Sequence, residues 1–264
     1  MNLRLLAAVL GLLLTACAGI HSSPTLEVRN TLAPTGKLRV GVYPGSPTSM
    51  IRDAKTGETK GLSVDLGKEL ASRLGVPFEQ VEYRGVAQVG EGMKAGQVDF
   101  IIAIATPERT KYADFTQTLL SIELGYLVPS GSSIRAVADV DRPGVRVGVT
   151  QGSTFHGMLP GVLKNAVVVP VATLKHGSEM LSQGKLDAYA TNKAILFEMS
   201  DGLPGSRVVD GRWGLEDLAI GIPKGRDQAM SYLRDFVDDV KSEGLVTRAS
   251  ERAGLRGAAK AESQ

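Results

Sequence analysis

The sequence predicts an α/β protein of two lobes, each a mostly parallel sheet flanked by helices, with a cleft between them. Three observations predict it. The segment VRVGVTQGS (145–153) nearly repeats LRVGVYPGS (38–46). A second echo follows in the same order, since EGMKAGQVDF (91–100) and EMLSQGKLDA (179–188) both fit Glu-x-apolar-x-x-Gly-x-apolar-Asp. Around each pair, short apolar runs alternate with stretches of helical period, the signature of βαβ units. A single doubly wound sheet with chance repetition is the competing reading, and the shared order of the echoes favours two lobes.

The N-terminus, MNLRLLAAVLGLLLTACAGI, carries one positive charge at Arg4 and then an unbroken apolar and small run from Leu5 to Leu14. That run falls short of the ~20 residues that span a bilayer. Residues 1–16 read as an export signal, against a buried N-terminal helix as the alternative. Cys17 is the only cysteine, so it forms no internal disulfide. Leu14-Thr15-Ala16-Cys17 resembles the bacterial lipobox, which implies that Cys17 is acylated and becomes the anchored N-terminus. Residues 17–36, rich in Ser, Thr, Pro and Gly, read as a tether.

Each lobe then reads strand, helix, strand, helix, strand. In the first, KLRVGV is a strand. GLSVDLGKELASRLG is a helix with Leu62, Val64, Leu66, Leu70 and Leu74 as its apolar positions, stopped by Gly75 ahead of Pro77. FEQVEY, VAQVGEGMKAG and VDFIIAIA continue as strand, helix and strand. In the second lobe VRVGVT, STFHGMLPGVL, AVVVPV, LKHGSEMLSQG and LDAYAT follow the same order. Gly96 and Gly184 stand where a helix end calls for a left-handed residue. LEDLAIGIPKG is a returning strand. After it, Met230, Leu233, Phe236, Val237 and Val240 mark a helix that Gly244 breaks before a shorter one. Residues 258–264 are expected to fray.

Composition excludes several functions. A formal charge of +2 over 264 residues gives no field for a nucleic-acid backbone, and 5% aromatics give no stacking platform. The three histidines (His21, His156 and His176) show neither a Ser-His-Asp order nor metal spacing. Neither a phosphate loop nor a dinucleotide fingerprint is present, so no cofactor or metal is expected. In open α/β sheets ligands bind outside the carboxyl ends of the strands, and two facing lobes place that region in their cleft.

The quoted segments resemble the bacterial extracellular solute-binding proteins, family 3, whose members serve ABC importers and mostly carry polar amino acids. GLSVDLGKELASRLG is similar to the family's Gly-x-x-x-Asp-Leu-x-x-x-Leu-Ala helix, and GQVDFIIAIATPERTKYADFT to its Gly-x-x-Asp, Thr-x-x-Arg, Asp-Phe-Ser/Thr segment. VGVTQGST, GKLDAYATN, AIGIPKG and VKSEG follow in the family's order, and the likeness covers about residues 37–254. It implies the type II periplasmic-binding-protein fold. Crossing segments would lie near Leu119–Leu124 and Trp213–Leu218, with lobe 1 made of 37–120 plus 217–257 and lobe 2 of 124–213. It also implies a monomeric, lipid-anchored periplasmic protein with an ABC permease and its ATPase as partners, and a small anionic or zwitterionic ligand captured by lobe closure. The alternatives are a cyclohexadienyl-dehydratase-like enzyme on the same fold, with Glu108, Glu123 or Asp114 as acid–base groups, and a ligand sensor without transport. The expectation is a binder, not an enzyme.

The resemblance also implies site residues. Arg109 matches the arginine that grips the ligand's carboxylate, a role suited to a planar guanidinium fork; a surface arginine is the plain alternative. Thr106 would cap the helix that Arg109 enters, with ligand contact an equal possibility. Gly152, Ser153 and Thr154 open the first helix of lobe 2, where amides and hydroxyls form an anion site or simply cap their own helix. The sequence departs from the family elsewhere. Asn192 stands where an ammonium-pairing Asp is usual, and Tyr43 replaces a second Asp. Thr48 or Ser49 takes the place of a covering Phe. Carboxylate capture is therefore expected, and ammonium capture has no evident counter-charge beyond the ring face of Tyr43.

Overall fold

The structure, a computed structural model, describes residues 24–259. Helix α1 (Leu26–Leu32) precedes β1 (Leu38–Val42), the small hairpin β2 (Ile51–Arg52) and β3 (Thr59–Lys60), α2 (Leu62–Leu74), β4 (Phe78–Glu82), α3 (Val86–Lys94), β5 (Ile101–Ile104) and β6 (Ala113–Phe115). Strand β7 (Leu120–Val128) leads to β8 (Arg146–Thr150), α4 (Thr154–Val162), β9 (Val167–Val171), α5 (Leu174–Ser182), β10 (Ala188–Asn192), α6 (Lys193–Asp201) and β11 (Arg207–Val208). Strand β12 (Gly214–Pro223) returns to the first lobe, followed by α7 (Met230–Ser242) and α8 (Leu245–Arg252). None of the helices among the described residues is long and apolar enough to cross a membrane.

The strands assemble twice in one pattern. In lobe 1, β1 pairs in parallel with β4, meets β5 through Val40 and Phe100, and β12 runs antiparallel beside β5. In lobe 2, β8 pairs in parallel with β9 and β10, and β7 runs antiparallel beside β10. The orders β4-β1-β5-β12 and β9-β8-β10-β7 are the same motif. Each is completed by a strand from the other half of the crossing, and the edge strands β6 and β11 extend them. Between the lobes, Gly214–Leu218 of β12 pairs antiparallel with Leu124–Leu120 of β7.

Each lobe has its own core. Leu38, Val40, Leu66, Leu70, Phe100, Ile220, Phe236 and Val237 fill the first beneath α2 and α7. Tyr126, Val147, Val149, Leu159 and Ala188 fill one side of the second sheet, and Leu127, Leu181, Tyr189 and Leu196 the other. Gly96 and Gly184 follow α3 and α5 with φ of +68° and +66°, the left-handed stop the sequence predicted.

Three stretches depart from expectation. Residues 26–32, read as part of a tether, form α1: Thr25 caps it, Leu32 is buried, and Arg226 bonds the Leu32 carbonyl. The apolar face that packs on lobe 1 outweighs the linker-like composition around it. Helix α6, which the sequence did not announce, starts directly at the end of β10. Residues 258 and 259 are not frayed: Ala258 bridges Ile122, the Ala259 N–H bonds Ser121, and Arg256 pairs with Asp201 of α6. The expected export signal, Cys17 and the start of the expected tether lie outside the described residues, as do residues 260–264.

Candidate functional site

The site is assembled from the turns that leave the carboxyl ends of the strands. After β5 the chain enters a short 3-10 turn, Arg109–Lys111, rather than the regular helix expected. Thr106 organises it: its hydroxyl accepts from the Arg109 N–H (3.2 Å) and its carbonyl from Thr110. The Arg109 guanidinium donates through Nη1 to the Ile104 carbonyl at 3.2 Å, its one bond among the described residues. Its other N–H groups make no hydrogen bond among the described residues.

Across the cleft, Ser153 is the N-cap of α4 and accepts from the His156 N–H at 3.3 Å. Gly152 holds φ +71°, and a β-carbon there would stand 2.8 Å from the Ala87 side chain of α3. On the other side, a β-carbon on Gly45 would stand 3.4 Å from Leu174 of α5. The lobes thus touch on both sides of the cleft, and the protein is in a closed arrangement. They enclose a cavity of about 40 Å³, lined in part by Tyr43, Arg109, Ser153, Thr154, Asn192 and Glu216. Thr106 and Gly152 instead line the open crevice outside it, which Arg109, Ser153 and Thr154 also border. Phe155 forms an apolar wall of the cavity, held edge-on by Trp213 with ring centroids 5.9 Å apart.

Tyr43 enters this cavity from the turn after β1, where its N–H donates to the Ser49 hydroxyl (2.9 Å) and its hydroxyl to Ser46 (3.5 Å). Burial pushes the Tyr43 hydroxyl up to about 12, so it stays neutral. Thr48 and Ser49 are buried beneath the turn and shape it, and Tyr43 and Pro44 form the wall there. The replacement of a covering Phe by Thr48 or Ser49 does not hold in space. Asn192 caps α6: its Oδ1 accepts from Ile195 N–H at 3.0 Å, and its Nδ2 donates to Glu216 Oε2 at 2.6 Å.

Glu216 was not foreseen. It lies on β12 within the crossing and is 8% exposed. Burial raises its carboxyl to about 7, opposed by the Asn192 amide and the charge of Arg109. The sequence did carry a signal. Along β12 the outward residues are Leu215 and Asp217, and the inward ones Glu216, Leu218, Ile220 and Ile222. A carboxylate on the apolar phase of an alternating strand is a functional candidate. The acid–base candidates of the enzyme alternative are placed elsewhere. Glu108 pairs with Lys111 on the surface, Glu123 with Lys193 and Arg212, and Asp114 with Lys224. Among the described residues, no cluster of His, Cys, Asp and Glu could hold a metal.

The model of the bacterial extracellular solute-binding proteins, family 3, matches residues 38–254. The chain belongs to this family. It is similar to the glutamine-binding protein of Geobacillus stearothermophilus, 28% identical over 213 residues, covering 78% of this chain and 81% of that one. Its fold matches the amino acid ABC transporter substrate-binding protein AbpA from Streptococcus pneumoniae bound to L-arginine, with a TM-score of 0.76 at 20% identity over 85% of this chain and 97% of that one. It equally matches the ancestral amino acid-binding protein AncCDT-1, a precursor of cyclohexadienyl dehydratase, with a TM-score of 0.74 at 24% identity over 85% and 98%. The architecture of this family is the two-lobed one described above, and solute binding is its common activity.

Proposed function

We propose that this protein is the solute-capturing lipoprotein of an ABC importer, tethered in the periplasm through Cys17, and that its ligand is a small carboxylate-bearing solute of the amino-acid class. One observation carries the reading: a guanidinium from lobe 1 and the first residues of a lobe 2 helix converge on one closed cavity. Arg109 binds the carboxylate from one side, and Ser153, Thr154 and the α4 N-terminus bind it from the other. A ligand that bonds both lobes favours the closed state by its differential affinity, which is the work a binding protein performs. The cavity volume supports a small ligand. Thr106 acts as the positioning residue of Arg109, and Gly152 allows α3 and α4 to approach. A monomer that hands its ligand to a permease and ATPase fits the family's transport role.

Native mass spectrometry of the full chain, purified without unfolding, tests the reading. The expected result is one bound carboxylate-bearing molecule that is lost from Arg109→Met. A persistent adduct on that variant, or a ligand without a carboxylate, would contradict it. Glu216, a buried acid near neutrality, is the observation that favours a dehydratase-like enzyme as a second reading. Recovery of the ligand chemically unchanged after prolonged incubation separates binder from enzyme.

A further inference from the structure

We propose that Glu216 is the specificity-determining residue of the cleft and that it pairs with an ammonium group of the ligand, so that the ligand is a zwitterion. The inference rests on the carboxylate-capture reading above and adds the opposite pole to it.

Glu216 sits on β12, in the stretch paired with β7 between the lobes, and turns into the cavity that Arg109 borders. Among the described residues its side chain makes one hydrogen bond, from Asn192 Nδ2 to Oε2. Oε1 is left for a donor in the cavity. A carboxylate that is 8% exposed and lacks a cationic partner within salt-bridge distance is costly unless a proton or a bound cation neutralises it. The ligand's ammonium is a cation of the required size and charge.

The other candidates for that role are committed elsewhere. The Asn192 Oδ1 accepts from its own helix, and its Nδ2 donates to Glu216. Asn192 is neutral and offers an ammonium no counter-charge. It aligns Glu216 instead. The Tyr43 hydroxyl is neutral and donates to Ser46. The titratable and charged groups that share the cavity with Glu216 are Arg109, Arg84 and Tyr43. Among the described residues both cationic groups in the cavity are arginines, and Glu216 is its one carboxylate. A molecule with a negative and a positive end matches Arg109 and Glu216 in turn.

Proton linkage follows. Glu216 titrates near 7 in the empty cleft, so an ammonium that binds its ionised form displaces a proton below that pH. Affinity then rises with pH up to neutrality and levels off above it.

Titration calorimetry of the full chain tests this with matched pairs: L-alanine and propionate, L-serine and 3-hydroxypropionate, L-glutamine and 4-carbamoylbutanoate. The proposal expects at least one amino acid to bind about 100-fold or more tightly than its ammonium-free partner. Glu216→Gln, which keeps the volume and the bond from Asn192, is expected to erase that preference, the amino acid losing affinity relative to its ammonium-free partner. The wild-type Kd for that amino acid should fall about tenfold from pH 6 to pH 8, and the variant's should be flat. Glu216→Asp should restore part of the preference at pH 8. Equal binding of both members of every pair, or an undiminished preference in Glu216→Gln, would overturn the proposal while leaving carboxylate capture intact. Failure of every acid and amino acid to bind would overturn both.

Discussion

The two lobes share one wiring diagram and differ in how deeply they bury it. In each, the Arg of the first sequence echo grips the Asp of the second. Arg39 gives Asp99 its backbone N–H, Nε and Nη2 at 3.1, 2.7 and 2.8 Å. Arg146 gives Asp187 the same three groups at 2.8, 2.9 and 2.9 Å. The motif repeated along the chain is therefore the two halves of one strand-to-strand staple, made twice. In lobe 1, however, the Asp99 side chain is 0% exposed and also takes Arg226 Nη2 at 2.9 Å, while Arg226 Nη1 reaches Leu32 of α1. In lobe 2 the Asp187 side chain is 37% exposed and has one cationic partner. The difference teaches that lobe 1 is the body on which α1, α7 and α8 are gathered. Lobe 2 is inserted in it through two strands.

Breaking the staples sharpens that comparison most. Asp99→Ala strands two guanidinium groups in a largely buried setting and should cost about 3–5 kcal/mol by urea denaturation. Asp187→Ala, whose pair solvent screens, should cost about 1 kcal/mol or less. Equal losses would mean that burial does not distinguish the lobes. Arg146 holds the Asp187 carboxyl below its usual range, so that small contribution is present at neutral pH and lost on acidification.

The seam between the lobes behaves in the opposite sense. The Glu216 carboxyl titrates near 7 in the folded protein and near its ordinary value of 4.5 when unfolded. Between those pH values the folded state holds the extra proton, so stability contributed by this group is present in acid and lost as pH rises through 7. The ligand-free protein should therefore lose up to about 3 kcal/mol from pH 4.5 to pH 8 through Glu216. Glu216→Gln should flatten that part of the profile in denaturant titrations, and an unchanged profile would remove Glu216 as its source.

A smaller effect tests the repeat itself. A β-carbon on Gly41 would lie 2.8 Å from Val98 and 2.9 Å from Val89, and one on Gly148 would lie 2.5 Å from Leu186 and 2.8 Å from Tyr189. Gly41→Ala and Gly148→Ala should each cost about 1–3 kcal/mol by overpacking, visible as lowered denaturation midpoints. A large cost at one and none at the other would break the equivalence of the two strands.

Much of this was legible in the sequence because it is local. The paired strands and the glycine helix stops leave periodic or terminal marks, and the crossing segments were implied by the family resemblance. Helix α6 left none, because Asn192 both ends β10 and caps α6, and no turn residue separates them. Helix α1 was hidden by its polar, proline-bearing surroundings, and the short strands β2, β3, β6 and β11 are too brief to show a period. In the site, a helix start announces Ser153 and Thr154, and the family resemblance pointed to Arg109; the structure sets all three on one cavity. Glu216 was missed although it sits on the apolar phase of β12; its bond to Asn192, 24 residues away, exists only in the folded chain. Strand alternation alone would have flagged it.

The central claim is that two lobes close on a carboxylate held by Arg109. Its most direct test is the dissociation constant of the ligand recovered from the native protein, measured by calorimetry for wild type and Arg109→Met. The account predicts about a 100-fold or greater loss with an unchanged melting temperature of the ligand-free protein. A loss of about threefold or less would contradict it.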